Sequence, residues 1–370
     1  MMSWTDIADR LVLDADAPPS SADEPASGSE AGRAARRRVL GHVLAAVAES
    51  RWSAHLALRG SVLLRAAFGS AAREPGDLDF VVVPHTFACD GADARAMLAD
   101  IAHAAERVSL RSPHPRVLID AAGAVTDDLW SYGASPGVRI ALPWRSDDGP
   151  GGEVGLDFAF NERIPVPPES VAVTVPDTGA VSLLAATPEQ SLAWKTMWLL
   201  DDPYIEPKDL HDALLLAEHV RLPHRLLLDS LVASDLDNIA WLPTETALSS
   251  LKLRPGAGDE ALAARARFTA FATSVLQEDP GLPRGVYARY AELLRPRLAE
   301  YKGRDPRAVA RELIAVDRAF TDVVTVVFNE LLGRSIDDLP ETIDQLAELN
   351  PGAPSDPTTR DGLLLDLLAD

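Results

Sequence analysis

The sequence predicts an α+β protein, a small mixed-sheet core followed by an α-helical domain. Three observations predict it. Between about residues 54 and 185, short β-like runs alternate with helical stretches, which interleaves strands and helices in one domain. After Pro188 the apolar periodicity becomes helical, punctuated by Pro203, Pro207, Pro223, Pro243, Pro255, Pro280 and Pro283. A length of 370 residues, 47% of them hydrophobic, leaves room for two ordinary domains with a sizeable core.

Taken in order, Ala17 to Gly32 is rich in Pro, Ser, Ala and Glu, has no large apolar residue, and reads as a disordered linker. Arg33 to Glu49 reads as a helix with Val39, Leu40, Val43, Leu44 and Val47 on one face. His55 to Leu58 is a short strand, and Gly60-Ser61 turns into a helix over Val62 to Phe68. Asp77 to Val83 is a strand, Asp93 to Val108 a helix, and Val138 to Leu142, Gly155 to Phe160 and Val171 to Val175 are further strands. Gly149 to Gly152 reads as a hairpin turn. Helices follow over Glu189–Leu200, Lys208–His219, Ala261–Gln277, Val286–Tyr301 and Pro306–Leu332. The expected organisation is a flexible segment over 1–32, an α/β core over 33–187, a helical domain over 188–350 and a tail over 351–370.

Composition removes several function classes. Cys89 is the only cysteine, which excludes an internal disulfide and a cysteine zinc cluster. No run of eighteen apolar residues exists and Met1 to Arg10 lacks an apolar signal core, so a cytoplasmic protein without membrane contact is expected. A net charge of −21 argues against generic nucleic-acid binding by the whole molecule.

The chemistry concentrates in Leu58-Arg59-Gly60-Ser61 and Asp77-Leu78-Asp79-Phe80. On a strand, residues i and i+2 share a face, so Asp77 and Asp79 stand side by side. Two carboxylates that close are costly unless a cation lies between them, and a hard, oxygen-seeking ion such as Mg²⁺ fits. Gly60 allows close backbone approach to a phosphate, and Ser61 at a helix N-terminus adds free N–H groups and a favourable dipole. Asp157 is the only charge in the apolar run Val154–Phe160. Lys195 is the only charge between Ser191 and Leu200; a lysine in so apolar a helix must snorkel or meet an anion, and a bound triphosphate is the better explanation.

The ordered combination of strand, Gly-Ser, helix and Asp-Leu-Asp resembles the nucleotidyltransferase superfamily that includes polymerase β. With Pro188–Lys195 and Lys208-Asp209-Leu210-His211-Asp212 added, it resembles the AbiEii/AbiGii toxin family (MenT-like) over roughly Leu56 to Glu218. Pro75 stands where that family often has a hydroxyl residue before Asp-Leu-Asp. The resemblance implies that Asp157 joins Asp77 and Asp79 on the metal, and that Lys195 and Asp209 are catalytic. Asp209 would either take the acceptor's proton or orient the nucleotide, and Asp212 would support it or, as expected, sit on the surface. It also implies a toxin of a toxin–antitoxin or phage-defence system that transfers NMP from an NTP to tRNA 3′ ends, with an antitoxin as partner. Competing readings are a small-molecule, aminoglycoside-type transferase and a degenerate module that binds nucleotide or a partner.

A last feature is local. From Arg284 to Arg311 there are eight basic residues and three acidic ones, with Tyr287, Tyr290 and Tyr301 interleaved. This is either an ordinary solvated helix face or a surface on which Arg289, Arg295 and Arg297 guide an RNA acceptor and the rings stack on bases.

Overall fold

The computed structural model describes residues 2–17, 29–113, 116–131, 135–147, 149, 151–202, 204–241, 248, 251–316, 321–349 and 357–369. Within them the chain clusters into two compact units, Met1–Leu222 with Glu245–Val275, and Pro223–Thr244 with Leu276–Asp370. No helix among the described residues is long and apolar enough to cross a membrane.

The first unit is built on a nine-stranded mixed sheet. Its strands are β1 (Leu11–Val12), β2 (Leu56–Arg59), β3 (Asp77–Val82), β4 (Val117–Ile119), β5 (Val125–Ser131), β6 (Ser135–Ser146), β7 (Gly152–Ala159), β8 (Glu169–Val175) and β9 (Gly179–Ala185). Their order is β1-β8-β9-β2-β3-β7-β6-β4, with β5 also on β6. The 12-residue β6 carries β5 and β4 end to end along one edge and β7 along the other. β3 runs antiparallel to β2 and parallel to β7. The expected β6–β7 hairpin is present as an antiparallel pair; Asp148 and Pro150 of its turn lie outside the described residues.

Helices α1 (Trp4–Ile7), α2 (Glu30–Glu49), α3 (Ser61–Phe68), α4 (Ala92–Arg111), α5 (Pro188–Asp201) and α6 (Pro207–Ala217) complete this unit, with most of a later helix over Asp259–Leu276. Ser29 caps α2 by accepting from the Gly32 N–H, and the apolar stripe Val39, Leu40, Val43, Leu44 and Val47 is fully buried where α2 packs on α4 and the sheet. Strand alternation sends Leu78 and Phe80 of β3 and Leu156 and Phe158 of β7 into the core. Phe80 and Phe158 are in register and stack at 5.6 Å. α5 begins with Thr187 as N-cap and Pro188 in its first turn, and is buried from Pro188 through Leu199. A helix buried on every side belongs to the core it sits in, so α5 and α6 fall with the sheet rather than beyond a boundary at 187/188.

The start of the chain differs from the flexible segment expected over 1–32. Residues 18–28 lie outside the described residues, but residues 2–17 are docked. Trp4 is fully buried and its indole N–H donates to the Ala186 carbonyl at 2.7 Å. β1 adds to the sheet edge in parallel with β8. Buried Arg37 of α2 donates to the carbonyls of Asp14, Ala15 and Ala17 and makes a two-pronged pair with Glu74. Composition alone does not reveal this, because the anchors are isolated apolar residues in a polar stretch.

The second unit is helical: α7 (His224–Ser234), α9 (Val286–Leu293), α10 (Arg295–Tyr301), α11 (Pro306–Val316), α12 (Thr321–Leu331), α13 (Leu339–Leu349) and α14 (Pro357–Leu367), with Asp259–Leu276 numbered α8. Ala310, Val324, Phe328 and Leu346 form its core cluster. The single helix expected over Val286–Tyr301 is two, because Pro296 in the first turn of α10 lacks the N–H that would continue the ladder. The expected helix Pro306–Leu332 comprises α11 and α12; residues 317–320 lie outside the described residues.

If Trp4 fastens the N-terminal segment to the sheet, Trp4→Ala will cost about 3–5 kcal/mol of stability. Urea unfolding of the full chain measures this; a change below about 1 kcal/mol would mean the segment is not part of the cooperative unit.

Candidate active site

Four strands put four charges in one row. Arg59 of β2 is directly opposite Asp79 of β3, Asp79 is opposite Asp157 of β7, and Asp157 is opposite Arg139 of β6. Asp77, two residues before Asp79, shares its face. These residues line a cavity of about 550 Å³ together with Gly60, Arg73, Lys195, Trp198, Lys208 and Asp209. That volume is within the usual range for a small-molecule site.

Each wall has a local cause. Gly60 caps α3 at φ +84°, a backbone region L-residues rarely adopt, and a Cβ there would collide with Oδ2 of Asp79. The glycine is therefore required both by the turn and by the carboxylate beside it. Ser61 is buried at the first position of α3 and its Oγ has no hydrogen-bond partner; it is behind the cavity wall rather than part of it. Half-buried Asp79 has its carboxyl pushed up to about 6, first by removal from water and then by the Asp77 carboxylate; Arg59 pulls it down, Asp157 raises it further, and Lys195 pulls it down again.

Arg59 acts on that charge from a position fixed by other partners. Its guanidinium donates to both oxygens of Glu162 at 2.6 and 2.8 Å and lies over the rings of Trp194 and Trp198, 5.0 and 5.5 Å from their centroids. At the other end of the row, Arg139 donates to both oxygens of Asp157, each at 2.6 Å, and reaches to 3.5 Å from Asp77. Gly155, opposite Asp77, leaves the space across which Arg139 extends. Asp157 thus arrives where the sequence places it, beside Asp79, but with both oxygens committed to Arg139. Among the described residues no three His, Cys, Asp or Glu side chains are gathered in a metal-holding arrangement. The donor set that fits a hard cation is the adjacent pair Asp77 and Asp79.

Lys195 of α5 does not snorkel. It is 6% exposed, with its Nζ 2.7 Å from Asp209 Oδ1 and 3.0 Å from Asp212 Oδ2. Burial works against its charge, but the Asp212 and Asp209 carboxylates outweigh it and hold its pKa above the ordinary lysine value. Asp212 corrects the expectation of a surface position: it is fully buried and also accepts from Arg73 Nε at 3.1 and 3.2 Å. One helical turn after Asp209, it faces the same direction, so a surface reading required the turn to face water when it faces α5. Arg139, Arg73, Trp198 and Glu162 were missed by sequence reasoning. Arg139 alone gave a signal, as a lone charge within the apolar run Val138–Leu142.

The basic helices of the second unit are differently built from the stacking surface considered above. Tyr287, Tyr290 and Tyr301 are buried, and burial pushes the Tyr290 hydroxyl up to about 12. Arg295 pairs with Glu292, Arg297 is 3.9 Å from Glu300, and Arg289 is half-buried on α9.

A mixed sheet that presents Asp-x-Asp on one strand, Gly-Ser at an adjoining helix start and a charged lysine across the cavity defines a nucleotidyltransferase. The chain belongs to the AbiEii nucleotidyltransferase toxin family of type IV toxin–antitoxin systems, whose model matches residues 42–302. Among solved structures it is similar to MenT4, a nucleotidyltransferase toxin from Mycobacterium tuberculosis H37Rv, at 15% identity and a TM-score of 0.44, covering 82% of this chain and 94% of that one. A comparison with curated proteins gives no match.

Two substitutions test the construction of the site. Gly60→Ala should cost about 1–3 kcal/mol of stability from backbone strain. It should also lower nucleotidyl transfer by roughly 100-fold, the equivalent of about 2.7 kcal/mol in the barrier, by displacing Asp79. Near-normal kinetics would disprove the close approach. Asp212→Ala should destabilise the fold by about 3–5 kcal/mol, since it strips a buried partner from Lys195 and Arg73; a calorimetric scan reads the loss, and an unchanged melting temperature would contradict it.

Proposed function

We propose that this protein is a Mg²⁺-dependent toxin that transfers NMP from an NTP to the 3′ hydroxyl of tRNA in the cytoplasm, countered by an antitoxin. The observation that carries the reading is the pairing of Asp77 and Asp79 with Lys195 and Gly60 around one cavity of nucleotide size. The tRNA acceptor and the antitoxin, with a role in phage defence, come from the family resemblance.

Asp77 and Asp79 would hold the metal ion: they share one face of β3, and Asp79 is disfavoured as a carboxylate first by burial and then by the Asp77 charge beside it. When bound, Mg²⁺ supplies Lewis-acid stabilisation of charge on the phosphates. In the reaction the acceptor hydroxyl attacks the α-phosphate and pyrophosphate leaves. α3 begins just after Gly60 on the cavity wall, so the positive end of its dipole would favour a phosphate bound there. Lys195, kept charged by its two carboxylates, offsets negative charge gathering on the triphosphate. Asp209 lines the cavity and fixes Lys195; from that position it also accepts the acceptor's proton or orients the nucleotide. With their tyrosines buried, Arg289, Arg295 and Arg297 offer an RNA acceptor charge rather than stacking.

The experiment is transfer from each of the four α-labelled NTPs to total tRNA with Mg²⁺. Asp77→Ala and Asp79→Ala should abolish labelling without lowering stability, because each relieves carboxylate crowding. Lys195→Ala should lower kcat/KM roughly tenfold or more, on the scale of a lost charged contact of about 1.5–3 kcal/mol. Full activity in the aspartate variants removes the site assignment. Label on a small cationic acceptor but not on tRNA replaces the acceptor, and no transfer to anything leaves a nucleotide-binding module.

A further inference from the structure

The row of charges on the sheet has an arithmetic that the resemblance to polymerase β-type enzymes does not anticipate. Three carboxylates, Asp77, Asp79 and Asp157, enter the cavity from β3 and β7. Of the two arginines that end the row, Arg59 acts on Asp79 but shares its charge with the buried carboxylate of Glu162, which stands outside the cluster. Arg139 is different: its partners are the cluster itself. Its fork covers both Asp157 oxygens at 2.6 Å, and the same Nη2 is 3.5 Å from Asp77 Oδ2. A guanidinium keeps its proton in any protein setting, so this is a permanent positive charge. The planar fork matches a carboxylate in two parallel hydrogen bonds, the strongest form of such a pair. Register fixes it there, since Arg139 is directly opposite Asp157 on the antiparallel neighbour, and Gly155 keeps the lane to Asp77 open.

Resting on the metal-dependent reading above, we propose that Arg139 is a built-in cation that occupies the position a second metal ion would need, so that the site binds one divalent ion, at Asp77 and Asp79, and Asp157 is not a ligand. With both Asp157 oxygens covered by Arg139, the carboxylates left to coordinate are Asp77 and Asp79, a donor pair for one divalent ion. A second ion at Asp157 would have to break both charge-assisted bonds and stand against the displaced guanidinium in the same cavity. Arg139 is a positioning residue in this scheme: it holds the third carboxylate away from the metal and presents its exposed edge to the cavity.

Mn²⁺ titration of the full-length protein, without nucleotide and followed by electron paramagnetic resonance, counts the ions directly and does not depend on turnover. The wild type should bind one Mn²⁺ per chain. Asp157→Asn should keep that stoichiometry with a Kd within about threefold. Arg139→Gln should gain a second Mn²⁺, and the Arg139→Gln/Asp157→Asn double variant should return to one. Two ions on the wild type, a tenfold weaker Kd in Asp157→Asn, or one ion in a folded Arg139→Gln variant would each overturn the single-ion proposal while leaving metal-dependent transfer intact. Failure of the wild type to bind any Mn²⁺ would instead remove the metal reading on which the proposal rests.

Discussion

Carboxylates on adjacent strands are held at the strand spacing whether or not their charges favour it, and this constraint organises the active site. Asp79 and Asp157 face each other because β3 and β7 run in parallel register, a register also fixed by the stacked Phe80–Phe158 pair on the opposite face. Slipping either strand by one residue would put the aromatic rings in the cavity and the acids in the core. Hydrophobic burial on one side of the sheet therefore enforces electrostatic crowding on the other. That crowding adds to the effect of burial in raising the Asp79 pKa.

The opposite wall solves the reverse problem, placing positive charge in a buried helix. Lys195 and Arg73 meet Asp209 and Asp212 in a cluster whose charges balance, so none of the four is left uncompensated away from water. Such a cluster adds little to stability against a well-packed apolar alternative, but it fixes where the lysine amino group points. Trp198 joins the two walls, lying beside both Lys195 and Arg59.

Charge in the second unit follows a simpler rule. The segment over residues 284–311 has a basic excess in composition, yet Tyr287 is tied to Glu330 and Asn329 by hydrogen bonds at 2.7 and 2.8 Å, and Tyr290 and Tyr301 are packed in the interior. Aromatic residues interleaved with arginine along an amphipathic helix serve the core first, because a ring buries more apolar surface than any neighbour there.

The sequence by itself determined the elements and the identity of the first catalytic candidates. Period-two alternation around Asp77 and Asp79, glycine before Ser61, a lone lysine in an apolar helix and the Asp209 segment are all local patterns, and local patterns survive in one dimension. It also determined the proline-punctuated helices, although the breaks at Pro296 and the docking of residues 2–17 escaped it, since one turns on a single missing N–H and the other on partners far along the chain. Tertiary structure alone decided which charges are partners. Arg139 is 18 residues from Asp157, Arg73 is 139 from Asp212 and Arg59 is 103 from Glu162. Nothing in spacing encodes pairings at such separations, because they are set by strand register and helix packing, which depend on burying the apolar faces of the whole unit at once.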